Sequence, residues 1–352
     1  MPKRSRRTNN TTAKASKRSK KQEPKTEEAI ISHILDERGG STKTKGRKTK
    51  RKQKHQYLCA WEDGAEPQWV DATHLKGQPC VDEWNEKEEE EPEIFDTEVE
   101  LVKKCNTLSQ WIQDAKRPVF LLGAGISAPV LPTFRGKNGL WTKKAYQNEL
   151  ADAKVSDGLQ PTLAHRALVQ LEKIGKVNFI ATQNYDDLSV RSGYPEEKLS
   201  ELHGNIFTET CEKCHRVYHR DFEVPLDDSI DHETGRYCED ELCKGVLKDN
   251  IIHFGEDLPW HALKMANAKF VGSDLTVVLG SSLQVTPASD LPFRSKRRWR
   301  SRSGLQRPKA VIVNLQTTPQ DGEADLLIHG TCNDVMDAVA KTLIGATWDQ
   351  ER

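Results

Sequence analysis

Four cysteines in the second half of the chain have the spacing of metal ligands. Cys211 and Cys214 form a CxxC pair, 23 residues separate this pair from Cys238, and four residues separate Cys238 from Cys243. Two close thiolate pairs brought together by a hairpin can complete the tetrahedral coordination of Zn²⁺, which leaves no position for a reactive water. The spacing predicts a structural zinc site that folds an insert at about residues 207–250.

Four cysteines cluster with this spacing and the other four are scattered along the chain, which favours metal in a reducing compartment over a disulfide framework. The scattered cysteines are Cys59, Cys80, Cys105 and Cys332. His215 and His232 are alternative zinc ligands.

Polar side chains follow two apolar runs in the middle of the chain. Gln183, Asn184 and Asp186 come after the run at 177–182, and His203 follows the run at 199–202. Open α/β sheets bind ligands at the carboxyl ends of their strands. An imidazole at such an end has a pKa suited to a general base. His203 is therefore a candidate catalytic base.

A glycine turn follows the apolar run at 119–122. It reads Gly123-Ala124-Gly125-Ile126-Ser127. Glycine has no Cβ, so it can adopt positive φ and allow a phosphate to reach the amides that follow. The turn predicts the start of a dinucleotide site, and an ordinary tight turn between strand and helix is the alternative.

These candidate residues need strands and helices to position them. Apolar runs at 274–279, 310–313 and 326–328 predict further strands, and helical spacing predicts helices at 97–115, 161–174 and 332–343. We expect Pro118 to end the first of these helices before the sheet begins. Strands that alternate with helices indicate an α/β fold with a doubly wound parallel, Rossmann-like sheet, here carrying a small zinc-binding insert.

The bulk composition predicts a soluble intracellular protein of about two domains. The chain has 352 residues, 36% of them hydrophobic, and zero formal net charge. It contains no apolar run of the roughly 20 residues that a membrane-spanning helix needs, and its basic, polar N-terminal residues do not read as a signal-peptide core.

The charges are segregated along the chain. Residues 1–26 are basic and almost free of apolar side chains, which predicts a disordered tail. An acidic stretch at 88–96 predicts a solvated linker. Residues 294–302 predict a basic loop. Both basic segments are compatible with nuclear or nucleolar targeting or with nucleic-acid contact, and simple solvation is the alternative.

A small β-rich module is predicted at 27–87. Runs near 30–35, 56–61 and 68–70 read as strands, 43–54 as a basic insert, and 80–84 as a short helix. The phrases IISHILDERG, YLCAWEDG and PQWVDATHLKG resemble a chromodomain, a family that holds methylated lysine in an aromatic cage. Trp61 matches one cage position, whereas Ala29 and Gly64 fall where aromatic side chains are expected. This favours binding of peptide or nucleic acid over methyl-lysine.

Ordered motifs from 101 to 343 resemble one enzyme family. They are GAGIS, FRGKNGLWT, PTLAHRALVQL, TQNYDDL, ELHGN, the four cysteines, HFGE, GSSLQV and VNLQ. The series resembles the sirtuins, and FRGKNGLWT, VRSG and IVNLQTTP are most similar to the nuclear class IV branch. The resemblance implies a sirtuin domain at 97–345, followed by a tail at 346–352.

The resemblance also implies roles for individual residues. His203 matches the catalytic base, and Asn184 and Asp186 match residues that orient the nicotinamide ribose. HFGE matches the edge along which an acyl-lysine peptide lies as an added strand. The implied NAD-binding residues are Gly123, Ala124, Gly125, Ser127, Phe134, Arg135, Gln183, Asn184, Asp186, Gly280, Ser281, Ser282, Asn314, Leu315 and Cys332.

The reaction implied is NAD-dependent deacylation of protein lysine. The acyl oxygen attacks C1′ of the nicotinamide ribose, nicotinamide leaves, and His203 deprotonates a ribose hydroxyl, which leads to free lysine and O-acyl-ADP-ribose. The resemblance implies acylated lysine in histone tails or other nuclear proteins as substrate, chromatin as partner and the nucleus as location, with no membrane association. The alternatives are mono-ADP-ribosyl transfer from NAD and a weakly active NAD-binding chromatin adaptor.

One segment departs from the family pattern. Where the family reads a glycine followed by IPDFR, this chain reads Pro129-Val130-Leu131-Pro132-Thr133-Phe134-Arg135. The segment is one residue shorter and has Thr133 in place of an acid. Because this loop must move around NAD, the departure predicts weak deacetylation or an altered acyl preference.

Overall fold

The computed structural model describes residues 31–38, 56–61, 68–71, 92–133, 158–225, 231–253, 255–299 and 306–349, the first three ranges by their backbone. The chain divides into two compact units, Met1–Glu88 and Glu89–Arg352.

The first unit contains a three-stranded antiparallel sheet. Its strands are β1 (Ile31–Arg38), β2 (Gln56–Trp61) and β3 (Gln68–Asp71), and β2 lies in the middle. The three strands predicted for this module are confirmed. The basic tail at 1–26 and the short helix predicted at 80–84 lie outside the described residues.

The second unit carries the other elements. Its strands are β4 (Pro118–Leu122), β5 (Phe179–Thr182), β6 (Leu199–Glu201), β7 (Thr208–Cys211), β8 (Val217–His219), β9 (Glu233–Tyr237), β10 (Val246–Asp249), β11 (Leu275–Leu279), β12 (Lys309–Val313) and β13 (Leu326–Ile328). Its α-helices are α1 (Glu98–Asp114), α2 (Leu163–Lys173), α3 (Leu188–Arg191), α4 (Trp260–Gly272), α5 (Arg294–Arg298) and α6 (Cys332–Leu343). Within the described ranges, none of these helices is long and apolar enough to cross a bilayer.

Six strands form a parallel sheet in the order β13-β12-β11-β4-β5-β6. The chain first builds outward from β4 to β6 and then returns to β11 on the other side of β4. This is the doubly wound order, with a topological switch point between β4 and β11. The predicted parallel sheet is confirmed.

The register of the sheet brings the candidate site residues into one row. Leu122 of β4 lies opposite Thr182 of β5 and Leu279 of β11. Gly123, Gln183 and Gly280 are therefore the first residues after three neighbouring strands. His203 follows the next strand on one side, since Thr182 pairs with Glu201.

Alternate residues of β4 pack into two cores. Phe120 and Leu122 join the cluster beneath α1, α2 and α6, whereas Val119 and Leu121 join the cluster beneath α4. All four side chains are buried, and each contributes about 1.5–3 kcal/mol through removal of apolar surface from water. Burial on both faces explains the continuous apolar runs and holds the strand ends rigidly.

The boundary of α1 is set differently from the prediction. Thr97 caps its N-terminus in a reciprocal pair with Glu100, as a capping box does. The helix ends at Asp114, and Pro118 is the first residue of β4, so Pro118 does not end the helix. The Asp274 carboxylate instead fixes the connection by accepting the amides of Lys116 and Arg117, each at 2.8 Å.

The predicted zinc insert forms its own antiparallel sheet in the order β8-β7-β10-β9. Its strands extend from Thr208 to Asp249, which agrees with the predicted insert at about 207–250.

The basic segment at 294–302 is not a loop over its described part. Arg294–Arg298 forms helix α5 directly after a 3₁₀ helix, Ala288–Phe293. Arg297 contacts Asp290 at 2.9 Å and Glu323 at 2.5 Å, and Lys296 contacts Asp325 at 2.7 Å. The prediction of a loop is therefore wrong for residues 294–298. Lys296 and Arg297 are held by acids within the fold. Residues 300–302 lie outside the described residues.

Candidate functional site

The glycine turn after β4 packs directly against the turn after β11. The Gly125 amide donates to the Gly280 carbonyl at 2.8 Å. A Cβ on Gly123 would lie 2.6 Å from the Gly280 oxygen, and one on Gly125 would lie 2.6 Å from the Gly280 Cα. Such approaches exclude any side chain, so both glycines are required for backbone packing at the switch point.

This packing bears on two expectations for the turn. Gly123 has φ of −129°, and of these three glycines only Gly280 has positive φ, at +64°. The amides of Gly125, Ile126 and Ser127 donate to the carbonyls of Gly280, Gly123 and Ala124. These three amides already have acceptors within the protein, and phosphate binding at the turn stays a prediction.

A buried hydrogen-bond network joins the glycine turn to the tip of β5. Ser127 Oγ donates to Asp186 Oδ2 at 2.6 Å. Asn184 Nδ2 contacts the Gly123 carbonyl at 3.2 Å and Ser127 Oγ at 3.3 Å. All three polar side chains are buried. Burial raises the pKa of the Asp186 carboxyl, and the bonds from Ser127 and the Leu188 amide oppose that shift.

His203 is held in one tautomer. Its Nδ1 lies 2.8 Å from the Gln183 carbonyl oxygen, which can only accept, so Nδ1 carries the proton. Burial lowers the pKa of His203, so the ring is neutral near pH 7. Its Nε2 lone pair is then available to accept a proton, as the role of general base requires.

The tip of β11 is tied to the tip of β5. Ser281 Oγ donates to Gln183 Oε1 at 2.6 Å, while the Gln183 carbonyl holds His203. Gly204 has φ of +84°, and a Cβ there would lie 1.7 Å from the Asn250 carbonyl oxygen. The loop after His203 is thus clamped between the sheet and the end of β10.

The other predicted NAD-binding residues lie further along this edge of the sheet or outside the described residues. Ser282 follows Ser281, and Asn314 and Leu315 follow β12, with the Asn314 amide donating to Ile328 at 3.1 Å. Cys332 begins α6, where burial raises the pKa of its thiol to about 12. Phe134 and Arg135 lie outside the described residues.

The four predicted metal ligands come together. The Sγ atoms of Cys211, Cys214, Cys238 and Cys243 all lie within 4.8 Å of one another. The separation is 3.6 Å for Cys211 and Cys243 and also for Cys214 and Cys238. The Cys214 amide lowers the pKa of the Cys211 thiol, which favours the thiolate. Four converging thiols fit a closed tetrahedral Zn²⁺ site, and the cluster among the described residues includes neither His215 nor His232.

His232 instead bridges two segments. Its Nδ1 lies 3.1 Å from Asp249 Oδ1 and its Nε2 lies 2.9 Å from Glu256 Oε1. Glu256 also accepts the His253 amide at 2.7 Å, which closes a small loop within the HFGE motif at 253–256. The HFGE motif, where the peptide edge is predicted, is thus hydrogen-bonded to the zinc insert through His232.

The sequence reasoning missed a polar cluster beside the site. Asp187, Asn205 and His219 meet there, with Arg191 at its border. The acid pair in TQNYDDL was the available signal, but only the fold shows that the second acid turns away from the first.

Comparison with known families matches the chain to one of them. Residues 144–287 match the model of the Sir2 family. The chain is similar to the "NAD-dependent protein deacetylase SRT1" of rice, at 40% identity over 70% of this chain and 50% of that protein. It is 37% identical to human "NAD-dependent protein deacetylase sirtuin-7", over 75% of this chain and 65% of that one. Drosophila "NAD-dependent protein deacetylase Sirt6" is 35% identical, over 72% of this chain and 79% of that one.

The chain thus spans about half the length of the plant relative. Solved structures are also similar to this chain. A complex described as "Sir2-p53 peptide-NAD+" is 30% identical with a TM-score of 0.52, covering 68% of this chain and 98% of that one. A Sir2 complex with deacetylated p53 peptide and 3′-O-acetyl ADP-ribose is 32% identical with a TM-score of 0.54, at the same coverage.

Proposed function

The chain belongs to the Sir2 family, and on this basis we propose that it is an NAD-dependent protein-lysine deacylase. The observation that carries the proposal is the 2.8 Å hydrogen bond between His203 Nδ1 and the Gln183 carbonyl, which leaves Nε2 at the row of strand ends to accept a proton. Relatives named as NAD-dependent deacetylases support it. The proposed catalytic domain is 97–345.

The strand ends fit a dinucleotide. They lie at the switch point of a doubly wound sheet, where such folds bind nucleotides, and they present the side chains of Ser127, Asn184 and Asp186. NAD would supply a ribose carbon that becomes electrophilic as nicotinamide leaves. We assign the nicotinamide ribose to Asn184 and Asp186 and the adenosine side to Gly280, Ser281, Ser282, Asn314, Leu315 and Cys332.

The residues of this chain would then perform two tasks. Asn184 and Ser127, fixed by buried hydrogen bonds, orient the ribose. His203 takes a proton from a ribose hydroxyl at Nε2, while Nδ1–H stays on the Gln183 carbonyl. The Zn²⁺ held by the four cysteines would be structural, because four thiolates leave it no open position.

The proposed substrate is an acyl-lysine segment of histones or other nuclear proteins. It would lie against the HFGE edge as an added strand. We assign the protein to the nucleus and chromatin. The N-terminal unit, a chromodomain-like module in this proposal, would recruit peptide or nucleic acid.

Nicotinamide release tests the proposal. Purified protein is given NAD with acetyl-lysine or long-acyl-lysine histone peptides, with and without nucleosomes. We expect peptide-dependent release that His203→Tyr abolishes and that the exposed control His261→Tyr retains. Release with ADP-ribose left on protein would instead identify a mono-ADP-ribosyltransferase. Binding of NAD without nicotinamide release under any condition would overturn the enzyme proposal and leave the chromatin adaptor as the alternative.

A further inference from the structure

Asp187 has an unusual backbone for its residue type. It adopts φ of 63° and ψ of −1°, the left-handed region that favours glycine. It is also buried, with 2% of its surface exposed. A charged side chain that is buried on a strained backbone persists where its contacts compensate.

The Asp187 carboxylate makes contacts to three separate segments. Oδ1 accepts from Asn205 Nδ2 at 2.7 Å and lies 3.2 Å from His219 Nε2. Oδ2 accepts from Arg191 Nε at 3.0 Å. These partners belong to the loop after His203, to strand β8 of the zinc insert and to helix α3.

These contacts connect Asp187 to the loop that carries His203 and to the zinc insert. Asn205 lies two residues after His203, and its side-chain oxygen accepts the Phe207 amide at 2.8 Å. The guanidinium of Arg191 stacks over the Phe207 ring, 4.2 Å from its centroid. Asp187 itself follows Asp186, which holds Ser127. One carboxylate therefore contacts both the insert and the loop that carries the base.

We propose that Asp187 is a positioning residue that fixes His203 and the Asn184–Asp186 loop to the zinc insert. The insert then influences the site through the contacts of Asp187 with His219 and Asn205. The kinetic consequence rests on the proposed deacylase function, whereas the structural coupling does not.

Asp187→Gly gives the sharpest test, because glycine adopts the left-handed conformation without strain. The variant removes the three contacts while it relieves the backbone. We expect a folded protein that retains its zinc, with kcat for peptide-dependent nicotinamide release at least about tenfold lower and KM for NAD little changed. Asp187→Asn, which retains an acceptor oxygen for Asn205, should recover part of the lost kcat.

A second readout does not need turnover. The ring resonances of His203 in histidine-labelled protein, assigned with His203→Tyr, should shift in Asp187→Gly. His219→Ala should shift them in the same direction, and the double variant should add little to Asp187→Gly, since both remove one linkage. Unchanged His203 resonances in Asp187→Gly would overturn the proposal even if the protein is inactive. Unchanged kcat in an active protein would overturn it as well.

Discussion

The Nδ1 atom of His203 lies 2.8 Å from the main-chain carbonyl oxygen of Gln183. This contact sets the tautomer and gives Gln183 two functions, since its side chain also accepts from Ser281. A main-chain carbonyl cannot be removed by substitution, so the orientation of His203 is built into the end of β5. The Nε2 atom is the only ring nitrogen left for proton transfer.

The pH dependence of the proposed deacylation follows from this environment. Burial lowers the pKa of His203 below its ordinary value of 6.5, and a base must be neutral to act. We expect kcat/KM for peptide deacylation to fall on the acid side with an apparent pKa below 6.5. A pH profile from 5 to 9 checks this, and an acid limb centred above 7 would contradict the assignment.

Ser127→Ala should destabilise the protein by about 1–3 kcal/mol, because it leaves a buried oxygen of Asp186 without its 2.6 Å hydrogen bond. Urea unfolding measures the loss. Ser192→Ala is the matched control: Ser192 Oγ also makes a 2.6 Å bond, but to the Ser189 carbonyl on a half-buried turn. A smaller loss of unfolding free energy for Ser127→Ala than for Ser192→Ala would show that the Asp186 carboxylate finds another hydrogen-bond donor.

Gly125→Ala should cost about 1–3 kcal/mol or more, because the new Cβ would meet the Gly280 Cα at 2.6 Å and both backbones would have to move. NAD affinity should fall with it. Gly322→Ala, where a Cβ meets nothing within 4 Å, should change stability by less than about 0.5 kcal/mol. Calorimetric melting and NAD titration of the two variants compare them directly, and equal melting temperatures would refute the packing argument.

The glycines illustrate what the sequence could and could not predict. Strand ends of a parallel sheet share one edge, so the apolar runs sufficed to bring Gly123, Gln183, His203 and Gly280 together. The partner of Gly125 is far along the chain, and its role in backbone packing could not be inferred from the turn alone. Helix α4 was not predicted, since only Ala266 and Phe270 of its residues are buried and its apolar pattern is weak. The left-handed backbone of Asp187 depends on tertiary contacts and has no sequence signature.

The cysteine cluster predicts one zinc ion per chain. Elemental analysis of purified protein should give a ratio near one, and Cys238→Ser should lower it strongly, because it removes one of four ligands. Cys105→Ser changes a buried cysteine outside the cluster and should leave the ratio unchanged. Loss of zinc should also unfold the insert, so chelation should reduce thermal stability. Full zinc content in Cys238→Ser would exclude this set of ligands.

His232 should make stability depend on pH in a defined direction. The hydrogen bond to Glu256 and then that to Asp249 raise the pKa of His232 above 6.5, and the ring also stacks on His253 at 4.9 Å. A raised pKa means that the protonated ring stabilises the fold. This contribution is fully present below pH 6.5 and is lost as the pH rises through the raised value. For Glu256, burial acts to raise the pKa, but the bonds from His232 and the His253 amide lower it overall. Its contribution is therefore lost as the pH falls below 4.5.

His232→Gln should accordingly be more destabilising at pH 6 than at pH 9, by about 1 kcal/mol for a charge-assisted hydrogen bond at a partly exposed site. Urea unfolding of zinc-loaded protein at the two pH values measures the difference. His261→Gln, which changes an exposed histidine on α4, should show no such dependence. A pH-independent cost for His232→Gln would mean that the bridge between Asp249 and Glu256 is held by a neutral ring. The HFGE edge would then be anchored equally at both pH values.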